Sequence, residues 1–165
     1  MSEFINYPLI AAFIAIIFSQ FVKVPVAYLL KRKTSLALMT STGGMPSSHS
    51  AGVAALITAL TVDYGANSPL VAIAATFGVI VIFDSMGVRR QSGEHGIIIN
   101  ELIADLDILR KQVFHLSKRE EVYTREHERH SREYLGHKPI EVFFGILTGI
   151  AIAFILREVL SWFAY

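Results

Sequence analysis

The sequence predicts an all-α fold, a polytopic membrane helix bundle with about four membrane helices plus a long cytoplasmic amphipathic helix. The chain has 165 residues, enough for one domain, and 53% of them are apolar. Its mean hydropathy of +0.48 exceeds that of soluble proteins. The charged residues are segregated into a few segments. We therefore expect a single integral membrane domain over 1–165, with 91–135 as a cytoplasmic helical insertion.

Composition also narrows the classes of partner. The net charge of +1 does not favour nucleic acid, and the absence of cysteine excludes disulfides and thiolate metal sites. The apolar surplus predicts the lipid bilayer as the main partner.

The first membrane helix is predicted over Tyr7–Leu30, which is apolar except for Ser19, Gln20 and Lys23. At about 1.5 Å per residue it can cross a hydrocarbon core of about 30 Å. The basic run 31–33 follows at a membrane surface. Lys23 either extends its side chain to that surface or marks a site within the membrane, since both are known for intramembrane cations.

Residues 43–52 combine glycines, a proline, three serines and a histidine at the start of an apolar run. A helix that begins here presents free backbone N–H groups and the positive end of its dipole, which suits an anion. Ser47 and Ser48 can cap the helix or donate to oxygens, and His49 can exchange a proton near neutral pH. The plain alternative is a serine-capped helix with a histidine in its first turn.

Two helices follow. The helix from His49 to about Val62 is too short to span the bilayer unless protein shields its ends. The next is predicted over Leu70–Met86, and Asp84, Arg89 and Arg90 stand at its end.

An amphipathic helix is predicted from residue 91. Apolar residues recur there at alternating steps of three and four, and this heptad seam consists of Ile99, Leu102, Leu106, Leu109, Val113 and Leu116. We expect the seam either to pack on the membrane bundle or to form a homodimer through 99–116. The helix becomes strongly charged from Ser117 to Arg132. His115, His127 and His130 lie on this helix and are better explained as solvated side chains than as metal ligands.

The fourth membrane helix is predicted from Ile140 to about Leu156, followed by an interfacial aromatic tail of Trp162, Phe163 and Tyr165. Basic residues cluster on the side of the helix bundle that carries Arg89 and Lys138, whereas the opposite side carries only Arg157. By the positive-inside rule, we expect a multi-pass plasma-membrane protein with its site on the cytoplasmic side.

His137 and Glu141 are four residues apart, so on a helix they share one face. The carboxylate can then hold one imidazole nitrogen and make the other more nucleophilic. The alternative is an ordinary helix-start histidine with an i,i+4 partner.

Two motifs carry a resemblance to a known superfamily. Pro46-Ser47-Ser48-His49 resembles the P-S-G-H motif of the type 2 phosphatidic acid phosphatase and vanadium haloperoxidase superfamily. The segment from Ser131 to Glu141 is similar to its third motif, S-R-x5-H-x3-D, with one residue fewer between Arg132 and His137 and with Glu141 in place of aspartate. The whole pattern resembles the divergent branch of that superfamily.

The resemblance implies metal-independent chemistry without a cofactor. His137 would be the nucleophile that forms a phosphohistidine, Glu141 would orient it, and His49 would protonate the leaving alcohol. The implied phosphate-binding residues are Lys23, Gly44, Ser47, Ser48, Asp84, Arg89 and Arg90.

For three positions of the motifs, the sequence offers more than one candidate residue. Arg89 and Arg90 compete with Arg132 for the motif-three arginine. The first motif, K-x6-R-P, is absent as written, and Lys23 is its best substitute, with the basic run 31–33 as the alternative. His95 also follows Arg89 at the motif spacing, but the apolar Ile99 stands where an orienting carboxylate is needed.

The resemblance implies a membrane lipid phosphatase that acts on a phosphomonoester headgroup of the phosphatidylglycerophosphate or phosphatidic acid type. A membrane protein that binds or transports a lipid phosphate without turnover is the second reading. The third hypothesis is a structural assembly protein that oligomerises through the heptad seam.

Overall fold

The computed structural model describes residues 6–30, 43–117 and 136–163, and the regular elements in these ranges are all α-helices. The helices are α1 (Tyr7–Leu29), α2 (Ser48–Tyr64), α3 (Pro69–Met86), α4 (Val88–Ser117) and α5 (Pro139–Phe163). Among these described residues, three stretches are long and apolar enough to cross a membrane: Tyr7–Leu29, Pro69–Phe114, which contains α3, and Pro139–Trp162. The predicted all-α membrane bundle is thereby confirmed.

Local capping explains several of the helix ends. The Ser47 side chain accepts from the backbone N–H of Ser50 at the start of α2, and Ser68 caps α3 in the same way. Gly65, with a φ of 80°, ends α2 in a backbone conformation that favours glycine. Because Gly87 ends α3 and α4 begins at Val88, the amphipathic helix starts earlier than residue 91.

Helix α2 lies at the centre of the bundle, where it packs against α1, α3 and α5. Its contacts are made by small residues, and the fully buried alanines are Ala11, Ala15, Ala51, Ala55, Ala59 and Ala153. A Cβ atom at Gly149 of α5 would lie only 2.9 Å from the backbone nitrogen of Ala55. The 17-residue α2 is therefore shielded by its neighbours, which explains how a helix too short to span alone is accommodated.

The two remaining helices differ from expectation. Helix α5 continues beyond the predicted end at Leu156 to Phe163, and Trp162 in its last turn is exposed. Helix α4 packs mainly against α3, and the described side chains of the heptad seam are exposed, so the seam does not pack on the membrane bundle within the described residues. The charged segment predicted up to Arg132 lies outside the described residues beyond Ser117.

Candidate active site

Two histidines from separate helices meet at one end of the bundle. His49 lies in the first turn of α2, and His137 stands two residues before α5 begins. Their Nδ1 and Nε2 atoms, respectively, are 3.4 Å apart, and their ring centroids are 5.5 Å apart in an edge-on arrangement. The structure thus brings together the two imidazoles that the motifs single out.

Glu141 holds the other side of the His137 ring. Its Oε2 atom lies 3.2 Å from His137 Nδ1 and also accepts a hydrogen bond from the backbone N–H of Lys138, at 3.2 Å. Because α5 begins at Pro139, His137 precedes the helix and the carboxylate reaches back from the third helical position, as in a capping box. The predicted pairing is present, but its cause is helix capping rather than a shared helix face.

Backbone hydrogen bonds fix the three segments that carry the site. The Ser47 N–H donates to the Glu141 carbonyl at 2.9 Å, which joins the loop before α2 to the start of α5. The His137 N–H donates to the Ser85 carbonyl at 3.0 Å, which joins the segment before α5 to the end of α3. Sequence reasoning missed Ser85 because its contribution is a backbone carbonyl, which carries no side-chain signal.

Lys23 of α1 is turned into the bundle. Only 2% of its surface is exposed, and the side chain lies against Gly44, since a Cβ there would be 3.7 Å from Lys23 Cδ. The Glu141 carboxylate attracts the ammonium group electrostatically. The alternative in which Lys23 reaches to the membrane surface is therefore incompatible with its burial. Gly44 itself has a φ of 99°, a conformation that a side chain would strain.

The serines at the start of α2 have defined positions. Ser47 is fully buried, and its Oγ accepts from the N–H of Ser50 and lies 3.0 Å from the Ser50 hydroxyl. Ser48, also buried, is the first residue of the helix. Ser47 is thus engaged in capping, while the positive end of the α2 dipole is held beside the histidine pair. Contact of Ser47 and Ser48 with a phosphate stays a prediction.

Arg89 and Arg90, the arginines predicted to bind phosphate, stand at the start of α4. Arg90 is exposed, and its Nε atom pairs with Glu94 Oε1 at 3.1 Å on the surface of the helix. The Arg89 side chain, together with Ser131 and Arg132, lies outside the described part of the structure. Asp84 is half-buried near the end of α3. In this conformation, the structure does not bring the Arg90 guanidinium to the histidine pair.

His95, the competing motif histidine, is exposed on α4. Its neighbour at the orienting position is Ile99, which is also exposed. His137, by contrast, is 1% exposed and hydrogen-bonded.

The hydrogen-bonding chain restricts which nitrogen of His137 can react. A carboxylate only accepts hydrogen bonds, so a neutral His137 bonded to Glu141 carries its hydrogen on Nδ1 and its lone pair on Nε2. That lone pair faces His49, which stands at the positive end of a helix. The arrangement places a carboxylate, the imidazole hydrogen-bonded to it and a second imidazole in one row.

Comparisons with known proteins agree with the motif resemblance. The model of a family described as the Divergent PAP2 family matches residues 4–152. The chain is also 46% identical over 151 residues to a Bacillus subtilis (strain 168) protein, the uncharacterized membrane protein YuiD, and the match covers 92% of this chain and 94% of that protein. No solved structure matches the chain.

Proposed function

Since the chain belongs to the divergent PAP2 family, we propose that it is a membrane phosphatase that hydrolyses the phosphomonoester headgroup of a lipid. The single observation that carries the proposal is the row formed by buried Glu141, buried His137 and half-buried His49, joined by contacts of 3.2 and 3.4 Å. A plain helix cap needs no second imidazole. Substrates of the phosphatidylglycerophosphate or phosphatidic acid type fit a site at the end of membrane helices.

In the first step, the Nε2 lone pair of His137 attacks phosphorus and the bond from phosphorus to the alcohol oxygen breaks. His49 gives its proton to that oxygen, so the alcohol leaves neutral. In the second step, His49 takes a proton from water, the hydroxide attacks phosphorus, and the bond from phosphorus to Nε2 breaks. Phosphate leaves, and both histidines return to their starting states.

The gap between the two rings must widen when substrate binds. A phosphoryl group on His137 Nε2 and its leaving oxygen cannot fit into 3.4 Å between two nitrogen atoms. His137 is fixed by Glu141 and by its backbone bond to Ser85, whereas His49 is half-buried. We therefore expect the His49 ring to move when a phosphate enters.

The phosphate would be bound by Lys23, the start of α2 and the arginines that open α4. Lys23 is buried and interacts electrostatically with Glu141, and burial strengthens its attraction for a phosphate oxygen. The Ser85 carbonyl accepts a hydrogen bond from the His137 N–H, so the end of α3 lies at the site. Arg89 follows Ser85 by only four residues along the chain. Release of Arg90 from Glu94 would free a guanidinium for bidentate contact with phosphate.

The test is phosphate release by the purified protein from a panel of lipid phosphomonoesters. His137→Gln should lower the rate by about 10³-fold or more, since the nucleophile is removed. His95→Gln, on the exposed face of α4, is the matched control and should retain the wild-type rate. Radiolabelled substrate should leave an acid-labile phosphoprotein with the wild type and none with His137→Gln.

His49 has a separate test. His49→Asn should slow release of an alkyl alcohol much more than release of an aryl alcohol, because an aryl oxide leaves without a proton. Equal losses for both substrates would contradict the role of acid. Specific binding of lipid phosphate without release of phosphate by the wild type would instead favour the carrier function.

We also propose that the site faces the cytoplasm, since Arg89, Arg90 and Lys138 lie at its end of the bundle. The chain has no cysteine, so single substitutions can be labelled selectively. On intact cells, an impermeant thiol reagent should label Asn67→Cys, in the turn between α2 and α3, but not Ser92→Cys on α4. The reverse pattern would place the site on the outer face.

A further inference from the structure

The heptad seam of α4 is an exposed apolar surface without a partner among the described helices. Its described side chains, Ile99, Leu102, Leu106, Leu109 and Val113, are 48–63% exposed. In α4, unlike in the apolar stretches of α1, α3 and α5, charged residues such as Glu101, Asp107 and Lys111 alternate with the apolar ones. The bilayer core therefore cannot solvate α4, and the seam needs another cover.

We propose that α4 pairs with α4 of a second copy of this chain as a parallel, two-stranded coiled coil. This assembly goes beyond the proposed catalytic function and does not depend on it. The choice of a second copy follows from three observations: the residue types in the seam, the charges beside it and the way α4 is attached to the membrane.

The residue types favour two parallel strands. If Ile99 is assigned position a of the heptad, positions a hold Ile99, Leu106 and Val113, and positions d hold Leu102, Leu109 and Leu116. Leucine at d together with β-branched residues at a favours parallel dimers over trimers and tetramers.

Charges beside the seam are complementary between two copies. In this register, Asp105 occupies position g and Arg110 occupies position e of the following heptad. A parallel pair brings g of one helix opposite that e of its partner, so two symmetric Asp105–Arg110 pairs form. An antiparallel pair places g opposite g and e opposite e, and the opposite charges are then not matched.

Membrane attachment selects the same orientation. Both copies cross the bilayer in one direction, so a two-fold axis along the membrane normal aligns the α4 helices in parallel when they extend away from the membrane along that axis. The seam from 99 to 116 is about 27 Å long, which is marginal for an isolated coiled coil. Confinement to one membrane raises the effective concentration of the two helices and offsets that weakness.

Cysteine cross-linking in native membranes tests the pairing and its direction. The chain lacks cysteine, so Ile99→Cys provides one thiol at the end of the seam, and Ala104→Cys provides one at position f on the opposite face. A mild oxidant should produce a disulfide-linked dimer with Ile99→Cys and at least 5-fold less with Ala104→Cys. In an antiparallel pair, the two thiols introduced by Ile99→Cys would lie about 25 Å apart and would not react.

Equal cross-linking of both variants, or none with Ile99→Cys, would overturn the proposal. The second result is also expected if α4 lies along the membrane surface. Both outcomes are independent of phosphatase activity, so they leave the proposed function unaffected.

A charge exchange in the Ile99→Cys background separates pairing from folding. Asp105→Arg alone and Arg110→Asp alone place like charges together, and each should lower the yield of linked dimer several-fold. The double exchange, Asp105→Arg with Arg110→Asp, restores opposite charges and should recover the yield. A double variant that stays as low as the single variants would contradict the register.

Discussion

The contact between α2 and α5 is made by residues with almost no side chain, whereas α4 exposes large aliphatic side chains along its length. At Gly145, an added Cβ would lie 3.0 Å from Ser50 Cβ, and at Gly149 it would lie 2.9 Å from the Ala55 nitrogen of α2. Such close approach lets the backbones of α2 and α5 exchange a direct hydrogen bond between Ser47 and Glu141.

The comparison separates a site formed by two packed helices of one chain from an apolar surface that no described helix covers. The histidine pair depends on the position of α2 against α5, and both helices belong to the same chain. The α4 seam has no cover among the described helices, and the cover we propose is α4 of a second copy. Catalysis and assembly should therefore be separable by mutation.

The largest effect beyond removal of His137 is expected from Glu141→Gln. The glutamine amide keeps one oxygen that can accept the Nδ1 hydrogen of His137, but it has no negative charge, so the ring loses the charge support of the carboxylate. Phosphate release should fall by about 100-fold. Glu158→Gln, an exposed change on the same helix, should leave the rate unchanged, and a normal rate for Glu141→Gln would refute the positioning role.

A smaller loss of activity, seen as weaker substrate binding, is expected from Lys23→Met. This substitution keeps the length and the apolar stem of the side chain but removes the ammonium group. A charged contact with phosphate contributes about 1.5–3 kcal/mol, so KM should rise about 10-fold or more. Lys111→Met, on exposed α4, is the control. An unchanged KM would show that Lys23 serves the fold alone.

The contact between α2 and α5 is tested by Gly149→Ala. The new methyl group would collide with the Ala51 carbonyl and approach the Ala55 nitrogen to 2.9 Å. Overpacking of this kind lowers the free energy of unfolding by about 1–3 kcal/mol. We expect a lower Tm and a few-fold slower reaction, since α2 carries His49. Ala151→Val adds methyl groups on the exposed face and should change neither measurement.

The smallest effect on catalysis is expected from Leu106→Asp in α4. A charge in the seam should abolish the cross-linked dimer, while phosphate release per chain stays within about 2-fold of wild type, because Leu106 is exposed and stands sixteen residues beyond Arg90 along α4. A strong loss of activity with intact folding would break the separation between the two regions.

Much of the fold can be predicted from the sequence because its signals are local. The apolar runs of α1, α3 and α5 are long enough to cross a membrane, and Ser47, Gly65 and Gly87 act on their own segments through capping and backbone conformation. The motif resemblance also singled out His49 and His137. The i,i+4 spacing singled out Glu141, although helix capping rather than a shared helix face brings it to His137. These conclusions needed only neighbours along the chain.

Tertiary structure decided how distant segments meet. The inward turn of Lys23, the Ser85 carbonyl bonded to His137 and the pairing of Arg90 with Glu94 have no local sequence signal. His49 and His137 are 88 positions apart, and their distance of 3.4 Å follows from backbone approach at glycines. Helix formation depends on nearby residues, but the separation of two helices depends on which side chains are absent between them.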